Sequence, residues 1–439
     1  MGISRTEYRQ RREKLMEKIG NGTAIFRSAP TATMHNDVEY IFRQDSDFFY
    51  LTGFNEPEAV AVLAPDREEN RFILFVQPKD PEKETWTGYR VGVEAAKTEY
   101  GADEAYSIAE LDEKLFQYIE KADRIYYHFG RDRDFNHKIL GFWQRSIALY
   151  PKNGYAATAI EDTNLIIHPQ RQVKSAAEIE MMRKAGAISA AAHNRAREYA
   201  KPGIYEYQVQ AEIEYIFRQQ GGIGPAYPSI VASGANACIL HYIENDRQME
   251  ENDLLLIDAG CSYGYYNGDI TRTFPVNGKF TPEQKTIYEI VLEAQLKAIE
   301  AVKPGNPYNQ FHTTAVRVLV EGLMDLGLLV GEIEEIIKEE KYKPFYMHKT
   351  GHWLGLDVHD AGGYKNGADS WQILQPGHIL TVEPGIYIAP DIKPAEGQPE
   401  IPEKWRGIGI RIEDDLLVTE NGHEVLTSGV PKSIADIEK

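Results

Sequence analysis

Apolar residues recur along the chain at two spacings, and each spacing predicts a different kind of secondary structure. Short continuous apolar runs, at residues 59–63 and 72–76, predict buried strands. Apolar residues at helical intervals, around residues 9–19 and 108–119, predict helices. This mixture of strands and helices predicts an α/β domain that extends to about residue 165.

A polar stretch at residues 168–172 contains a proline and has no apolar face. Because proline interrupts helices and strands, we predict that this stretch connects two domains. The length of 439 residues also favours two domains, since single hydrophobic cores stop growing at roughly 250 to 300 residues. The predicted domains are residues 1–167, which form the smaller N-terminal domain, and residues 168–439.

The second predicted domain contains a repeated arrangement of helices. Ser175 and Glu178 have the spacing of a capping box, and the helix that follows ends at a Lys-Pro-Gly turn, residues 201–203. Thr281 begins another such helix, which ends at a second Lys-Pro-Gly turn, residues 303–305. A further helix and strand-like segments follow each turn, so the domain is predicted to contain two copies of one arrangement.

The net charge excludes some classes of partner. The balance of 48 Lys plus Arg against 67 Asp plus Glu gives −19, which disfavours nucleic acid and anionic membrane surfaces. The first residues lack the apolar segment of a signal peptide, and no stretch approaches the roughly 20 apolar residues of a membrane helix. Cys238 and Cys261 are too few for a disulfide framework and are predicted to be buried thiols. We therefore expect a cytoplasmic protein.

Two aspartates stand beside apolar, strand-like runs. Asp258 ends the run at residues 254–257, and Asp269 precedes the run at residues 270–274. A hairpin that turns at residues 263–264 would make the aspartates direct cross-strand partners, with Cβ atoms roughly 5 Å apart. Two such charges repel by roughly 4 kcal/mol at an effective dielectric of 20, and a divalent cation reverses that sign. The alternative is that one aspartate caps the loop and the other faces water.

Two glutamates and a group of histidines extend this acidic set. Glu383 and Glu413 both follow apolar runs, and strand alternation would put Glu413 on the same face as Arg411. The segment at residues 348–359 contains three histidines, at positions 348, 352 and 359. Four carboxylates with one neutral imidazole suit two hard or borderline divalent ions, whose charges they would balance.

The acidic residues and one histidine lie in five short motifs: Leu-Leu-Ile-Asp-Ala-Gly at Asp258, Gly-Asp-Ile-Thr-Arg at Asp269, Gly-His-Trp-Leu-Gly at His352, Thr-Val-Glu-Pro-Gly at Glu383 and Gly-Ile-Arg-Ile-Glu-Asp at Glu413. In this order they resemble the metal-ligand motifs of the pita-bread metallopeptidases, and within them aminopeptidase P. Residues 45–54 resemble part of that family's accessory domain. The resemblance implies an N-terminal α/β domain and a C-terminal pita-bread domain, in which helices and antiparallel sheet repeat about a pseudo-twofold axis.

The resemblance also implies which residues bind each of two metal ions. Asp269 and Glu413 would bridge two ions, Asp258 would bind one of them, and His352 and Glu383 would bind the other. The family commonly uses manganese, with cobalt, zinc and iron as alternatives. A metal-activated water would be the nucleophile, because coordination lowers the pKa of water, and Glu383 would accept its proton.

Six further residues are implied at the substrate site: His241, His348, His359, Arg411, Tyr387 and Trp86. Of these, His359 and His241 would contact the scissile bond and stabilise the developing oxyanion. Arg411 and Tyr387 would order the proline side, and Trp86 would cover it, from the same or a neighbouring subunit. A packing role is the alternative for each of the six residues.

These roles imply an Xaa-Pro aminopeptidase, which hydrolyses the bond between an N-terminal residue and a following proline. The implied partners are peptides with proline at the second position and further copies of the chain, in a dimer or tetramer. A prolidase, which accepts only dipeptides ending in proline, is the first alternative. A non-catalytic binding protein with this fold would be expected to have lost metal ligands, and all five are present here.

Overall fold

The computed structural model describes residues 2–438, which fall into two compact units. Unit 1 ends at Arg171 and unit 2 begins at Gln172. Each unit combines helices with strands, so the two-domain α/β architecture expected from the sequence is confirmed. The division into units falls shortly after residue 168, where the sequence analysis places the domain boundary, and that boundary stays a prediction.

A mixed sheet forms the centre of unit 1. The strands of this unit are β1 (Thr23–Arg27), β2 (Thr33–His35), β3 (Val38–Glu39), β4 (Val60–Leu63), β5 (Phe72–Val76), β6 (Glu104–Ser107), β7 (Arg124–Tyr126) and β8 (Ala159–Glu161). Six of them form one sheet in the order β6-β5-β4-β1-β7-β8, while β2 and β3 form a separate hairpin. Both apolar runs predicted as strands are confirmed as β4 and β5, and every residue in them is buried, as a continuous apolar pattern requires.

The helices of unit 1 are α1 (Arg5–Ile19), α2 (Ser46–Thr52), α3 (Pro81–Thr87), α4 (Gly92–Thr98), α5 (Leu111–Lys114), α6 (Phe116–Ile119), α7 (Arg133–Asn153) and α8 (Asn164–Gln172). The prediction that residues 168–172 are a connection without helix is wrong, because they form the end of α8 with Pro169 inside it. The buried Arg171 donates to Asp47 Oδ1 at 2.7 Å. This tertiary contact stabilises a helical turn that proline disfavours.

Two pairs of helices form the framework of unit 2. The helices are α9 (Ala176–Tyr199), α10 (Glu206–Gln219), α11 (Pro282–Ala301), α12 (Gln310–Asp325), α13 (Ile333–Lys338) and α14 (Ile434–Ile437). Capping boxes at Ser175 and Thr281 begin α9 and α11, as the sequence predicts. Because α9 packs on α10 and α11 packs on α12, the predicted repeat is present in the fold.

Short antiparallel sheets connect these helix pairs. The strands of unit 2 are β9 (Gly224–Pro225), β10 (Ile230–Ser233), β11 (Leu254–Asp258), β12 (Cys261–Tyr263), β13 (Tyr266–Asn267), β14 (Thr271–Pro275), β15 (Ile379–Val382), β16 (Gly385–Ile388), β17 (Ile408–Arg411), β18 (Asp414–Thr419) and β19 (Gly422–Val425). They pair as β10-β11-β14, β13-β12-β9, β15-β18-β19 and β16-β17. A large apolar core joins α10, α11 and α12 to β10, β11 and β17, and it holds the strand ends that carry the acidic residues.

In residues 2–438, none of the helices combines the length and apolar character that crossing a membrane requires.

Candidate metal centre

The two aspartates lie next to each other in the sheet, but in a different register from the predicted one. Asp258 ends β11 and pairs with Thr271 of β14, so the predicted direct pairing with Asp269 is wrong. The hairpin β12–β13 turns at Gly264 and Tyr265, whose φ angles are 56° and 75°. This turn lies one residue later than predicted, and such a shift moves every cross-strand partner by two positions. Asp269 is therefore diagonal to Asp258 on the same face.

A tyrosine hydroxyl joins the two aspartates. Tyr227 OH lies 2.6 Å from Asp258 Oδ1 and 2.5 Å from Asp269 Oδ1. Since a hydroxyl has a single proton, it donates to one of these carboxylates at a time. The other oxygen of Asp258 accepts a hydrogen bond from Arg411 Nη2 at 2.7 Å. These contacts fix the orientation of both carboxylates.

The two glutamates reach the same place from different strands. Glu383 follows β15, and its backbone N–H donates to Thr350 O at 2.8 Å. Glu413 lies between β17 and β18, and its Oε2 accepts from the Thr271 hydroxyl at 2.6 Å. Arg411 Nε donates to the same hydroxyl oxygen at 3.2 Å, so Arg411 and Glu413 share a face as predicted.

His352 faces this acidic group with one ring nitrogen. Its Nε2 lies 3.4 Å from Asp269 Oδ2 and 3.6 Å from Glu383 Oε1. Its Nδ1 donates to Trp353 O at 3.0 Å, which orients Nε2 towards the carboxylates, where it would bind a metal ion in its deprotonated form. Ligand atoms of Asp269, His352 and Glu413 all lie within 4.8 Å of one another, close enough to hold one metal ion.

The cluster carries more negative charge than its protein surroundings neutralise. Burial raises the pKa of Glu383 to about 7, although the charge of His352 opposes the shift. Burial and then the charges of Asp269, Glu383 and Asp258 raise the pKa of Glu413 well above its usual range. Burial lowers the pKa of His352, but the hydrogen bond with Asp269 and the charge of Glu383 outweigh it and raise that pKa to about 9. Divalent cations fit this donor set, because they would repay the cost of burying these carboxylates.

A second set of predicted residues forms a chain that ends at Asp258. Arg411 Nη1 donates to Tyr387 OH at 2.9 Å, and this hydroxyl donates to His348 Nε2 at 2.8 Å. His348 Nδ1 donates in turn to Lys349 O at 2.8 Å. Burial, and then the charge of Arg411, lower the pKa of His348 to about 3. This low pKa agrees with a neutral imidazole whose Nε2 accepts a hydrogen bond from the Tyr387 hydroxyl.

Of the remaining predicted residues, His359 contacts a proposed metal ligand, His241 is exposed and Trp86 lies in the other unit. The rings of His359 and His352 are in contact, with centroids 4.3 Å apart. Burial lowers the pKa of His359, and charges on His352 and His241 lower it further. Trp86 belongs to unit 1, where its side chain is 88% exposed.

Sequence reasoning missed three residues that contact the predicted ligands. Tyr227 and Thr271 supply hydroxyl groups to the carboxylates. Asp415 Oδ2 accepts a hydrogen bond from the backbone N–H of Asp269 at 3.0 Å. Asp415 could have been suspected from the sequence, because it ends a run of three acidic residues that begins at Glu413. For Tyr227 the sequence offers only the prolines near it, which are a weak indication.

Models of two known protein families match this chain, one in each unit. The family model described as metallopeptidase family M24 matches residues 180–420, which is more than half of the chain. The chain belongs to metallopeptidase family M24. A second model, described as aminopeptidase P, N-terminal domain, matches residues 8–126. Both models agree with the resemblance in the ligand motifs and in the accessory domain.

Relatives of this M24 peptidase match over nearly its whole length. The Xaa-Pro aminopeptidase of Escherichia coli (strain K12) is 44% identical over 99% of this chain and 97% of that protein. The solved structure of an aminopeptidase of Pseudomonas aeruginosa has a TM-score of 0.95 and 49% identity, covering 100% of this chain and 98% of that one. A zinc-substituted E. coli aminopeptidase P in complex with product has a TM-score of 0.94 and 44% identity, covering 100% and 98%. The expected accessory domain and pita-bread domain are thereby confirmed.

Membership of the family confirms the predicted class of enzyme, a metal-dependent hydrolase. The role of each candidate ligand and substrate-site residue stays a prediction.

Proposed function

We propose that this M24 peptidase removes the N-terminal residue from peptides whose second residue is proline. Its relatives named Xaa-Pro aminopeptidase are similar over nearly the whole chain, including the N-terminal domain. The observation that carries the proposal is the buried group of donors in unit 2, in which Asp269, His352 and Glu413 direct ligand atoms at one point. Two further carboxylates lie beside that point: Glu383 is next to His352, and Asp258 contacts the Tyr227 hydroxyl.

Two divalent cations would be held by five residues: Asp258, Asp269, His352, Glu383 and Glu413. When bound, such ions supply positive charge that polarises the peptide carbonyl and activates water for attack. We propose manganese as the native metal, since carboxylate-rich sites with a single imidazole suit it, with cobalt, zinc and iron as alternatives. The surrounding hydrogen bonds from Tyr227, Thr271 and Arg411 would hold the carboxylates in place for the ions.

Three residues are assigned to proton transfer and charge stabilisation. Glu383 has a carboxylate oxygen 3.6 Å from His352 and another 3.7 Å from His348, and we assign it as the acceptor of the proton that attacking water loses. It would then return the proton to the leaving nitrogen. His359 and His241 would donate N–H groups to the carbonyl oxygen as negative charge develops on it.

The proline side of the substrate is assigned to the chain of hydrogen bonds through Tyr387. Arg411, Tyr387 and His348 hold one another in fixed orientations, so they can present a rigid wall to a rigid proline ring. Trp86 is assigned to cover the site from a second copy of the chain. Two large aromatic side chains of unit 1 are almost fully exposed, Trp86 at 88% and Tyr89 at 92%, which supports a dimer or tetramer.

The proposed compartment is the cytoplasm, where Cys238 and Cys261 would remain the free thiols that the structure contains. Cell fractionation tests this assignment.

The test of the proposed function compares two peptides on metal-stripped protein before and after manganese is added. An Xaa-Pro-Xaa tripeptide should lose its first residue only when metal is present, and the matching Xaa-Pro dipeptide should be a poor substrate. Cleavage of the dipeptide alone would reassign the chain as a prolidase. Inactivity on both peptides would contradict the proposal.

A further inference from the structure

The segment from His352 to Asp360 carries two histidines of the proposed site and is held differently at its two ends. At the first end, His352 N–H donates to Thr381 Oγ1 at 3.1 Å. Thr381 N–H donates back to His352 O at 3.0 Å. Since Thr381 belongs to β15, which leads directly to Glu383, the strand itself fixes the metal-binding end of the segment.

A buried ion pair holds the other end. Asp360, the residue after His359, accepts a hydrogen bond from Lys174 Nζ at 2.9 Å, and each side chain is only 1% exposed. Lys174 is anchored by its backbone N–H, which donates to Gly377 O at 2.9 Å. Burial, and then the charge of Lys174, lower the pKa of the adjacent His378 to about 4. His378 is therefore neutral, and Asp360 is the anion that compensates Lys174.

The pair packs directly on the backbone of the segment. A Cβ atom at Gly355 would lie 2.3 Å from Asp360 Oδ2 and 3.0 Å from Lys174 Cε. Asn267 Nδ2 also donates to Leu356 O at 2.9 Å. The middle of the segment thus contacts both the hairpin β12–β13 and the Lys174–Asp360 pair.

Stability alone is a poor explanation for this pair. Removing two charges from water is costly, and apolar residues of similar volume often stabilise a fold equally well. A buried pair does, however, impose one geometry on the backbone to which it is attached. Here that backbone leads within one residue to His359, which contacts His352 in the proposed site.

We propose that the Lys174–Asp360 pair is a positioning device that holds His359 in place for the reaction, without a part in metal binding. The inference rests on the proposed function, since His359 is assigned there to the carbonyl oxygen. Lys174 and Asp360 are positioning residues, because both act through His359.

The first experiment separates positioning from stability. In the manganese-loaded Lys174→Met variant, kcat should fall about 10- to 100-fold, as expected when a catalytic group is misplaced by about 1 Å. Manganese affinity, measured by calorimetric titration of stripped protein, should be unchanged because Thr381 fixes His352. In the Lys174→Met/Asp360→Leu variant, the thermal midpoint should return towards the wild-type value while kcat stays low. Recovery of both quantities would overturn the proposal and leave the pair a purely structural role.

A second experiment tests the route through His359. In a His359→Ala background, Lys174→Met should cause no further loss of kcat, because the group it positions is gone. Multiplying losses would show that Lys174 acts elsewhere and would overturn the proposal. Arg11→Met is the control, since it breaks a partly buried pair with Glu7 in unit 1 and should leave kcat unchanged.

An NMR readout keeps this inference separate from the proposed function. If the wild-type chain fails to cleave the tripeptide, the proposed function fails, but the ring signals of His359 still report its position. Lys174→Met should shift these signals by more than those of His352, which change only through contact with the displaced ring. Unchanged His359 signals would overturn the inference whatever the substrate.

Discussion

Single hydroxyl groups orient the charged residues of the proposed centre. Tyr227 OH contacts both Asp258 and Asp269, and the Thr271 hydroxyl donates to Glu413. Each contact occupies one of the roughly four lone-pair sites of a carboxylate and leaves other sites free for a cation. The arrangement of carboxylates is therefore present before any ion binds, which reduces the reorganisation that metal binding requires.

Asp269→Asn should remove one metal ion and nearly all activity while the fold remains. The amide keeps the shape of the side chain but loses the charge of a proposed bridging ligand. Metal analysis, peptide hydrolysis and circular dichroism measure the three quantities. Asp391→Asn, at an exposed position, is the control and should retain both ions. Two bound ions with normal turnover in Asp269→Asn would refute the ligand assignment.

Tyr227→Phe should weaken metal binding about 10- to 100-fold, the usual effect of removing a group that orients a ligand. The ring volume is kept, so the thermal midpoint should change little. Calorimetric titration of the stripped protein with manganese measures the affinity. Tyr215→Phe removes a hydroxyl that contacts the exposed Gln219 and should leave the affinity unchanged. Equal affinities in the two variants would show that the hydroxyl of Tyr227 does not orient the aspartates.

At the scale of elements, the hairpin β12–β13 decides where Asp269 lies. The residues that flank its two strands approach so closely that a Cβ atom on Gly260 would lie 1.7 Å from Gly268 O. Cys261 O also accepts a hydrogen bond from Gly268 N at 2.9 Å, immediately before Asp269. Glycine at position 260 is therefore required for this register.

Gly260→Ala should destabilise unit 2 by about 1 to 3 kcal/mol, because the added methyl group forces the two strands apart. The same displacement moves Asp269, so manganese affinity should fall as well. Denaturant unfolding and metal titration measure the two effects. Gly141→Ala is the control, since a Cβ atom there meets nothing within 4 Å in a helix, and it should be neutral or stabilising. Wild-type stability in Gly260→Ala would contradict the close approach.

At the scale of the whole molecule, the acidic cluster lies within unit 2 alone. Burial raises the pKa of both Glu383 and Glu413, so the native state without cations carries unfavourable charge. Ions that bind the folded state but not the unfolded chain should offset this cost. Metal content should therefore affect the stability of one unit and not of the other.

Removing metal with a chelator should lower the thermal midpoint of unit 2 by roughly 5 to 10 °C, if saturating metal contributes a few kcal/mol. The midpoint of unit 1 should not change. Differential scanning calorimetry before and after manganese is restored measures both transitions. Asp269→Asn should show a smaller response to the chelator. An unchanged midpoint for unit 2 in the wild-type chain would argue against ions in this cluster.

The sequence by itself determined the elements that depend on local chemistry. Capping boxes at Ser175 and Thr281 begin their helices as predicted, because the side chain and the backbone groups that it satisfies lie within four residues. The apolar runs became buried strands, and the order of acidic motifs indicated the family. Membership of metallopeptidase family M24 thus follows from patterns that are continuous along the chain.

Only the tertiary structure decided the features that depend on distant residues. The register of the hairpin depended on the positive φ angles of Gly264 and Tyr265, and the second of these is not glycine, so local pattern pointed to the wrong turn. The helical turn at Pro169 is stabilised by the contact between Arg171 and Asp47, far away in sequence. Tyr227 likewise reaches its carboxylates only in the folded chain. Contacts between residues remote in sequence leave no periodic signal, which is why the structure alone revealed them.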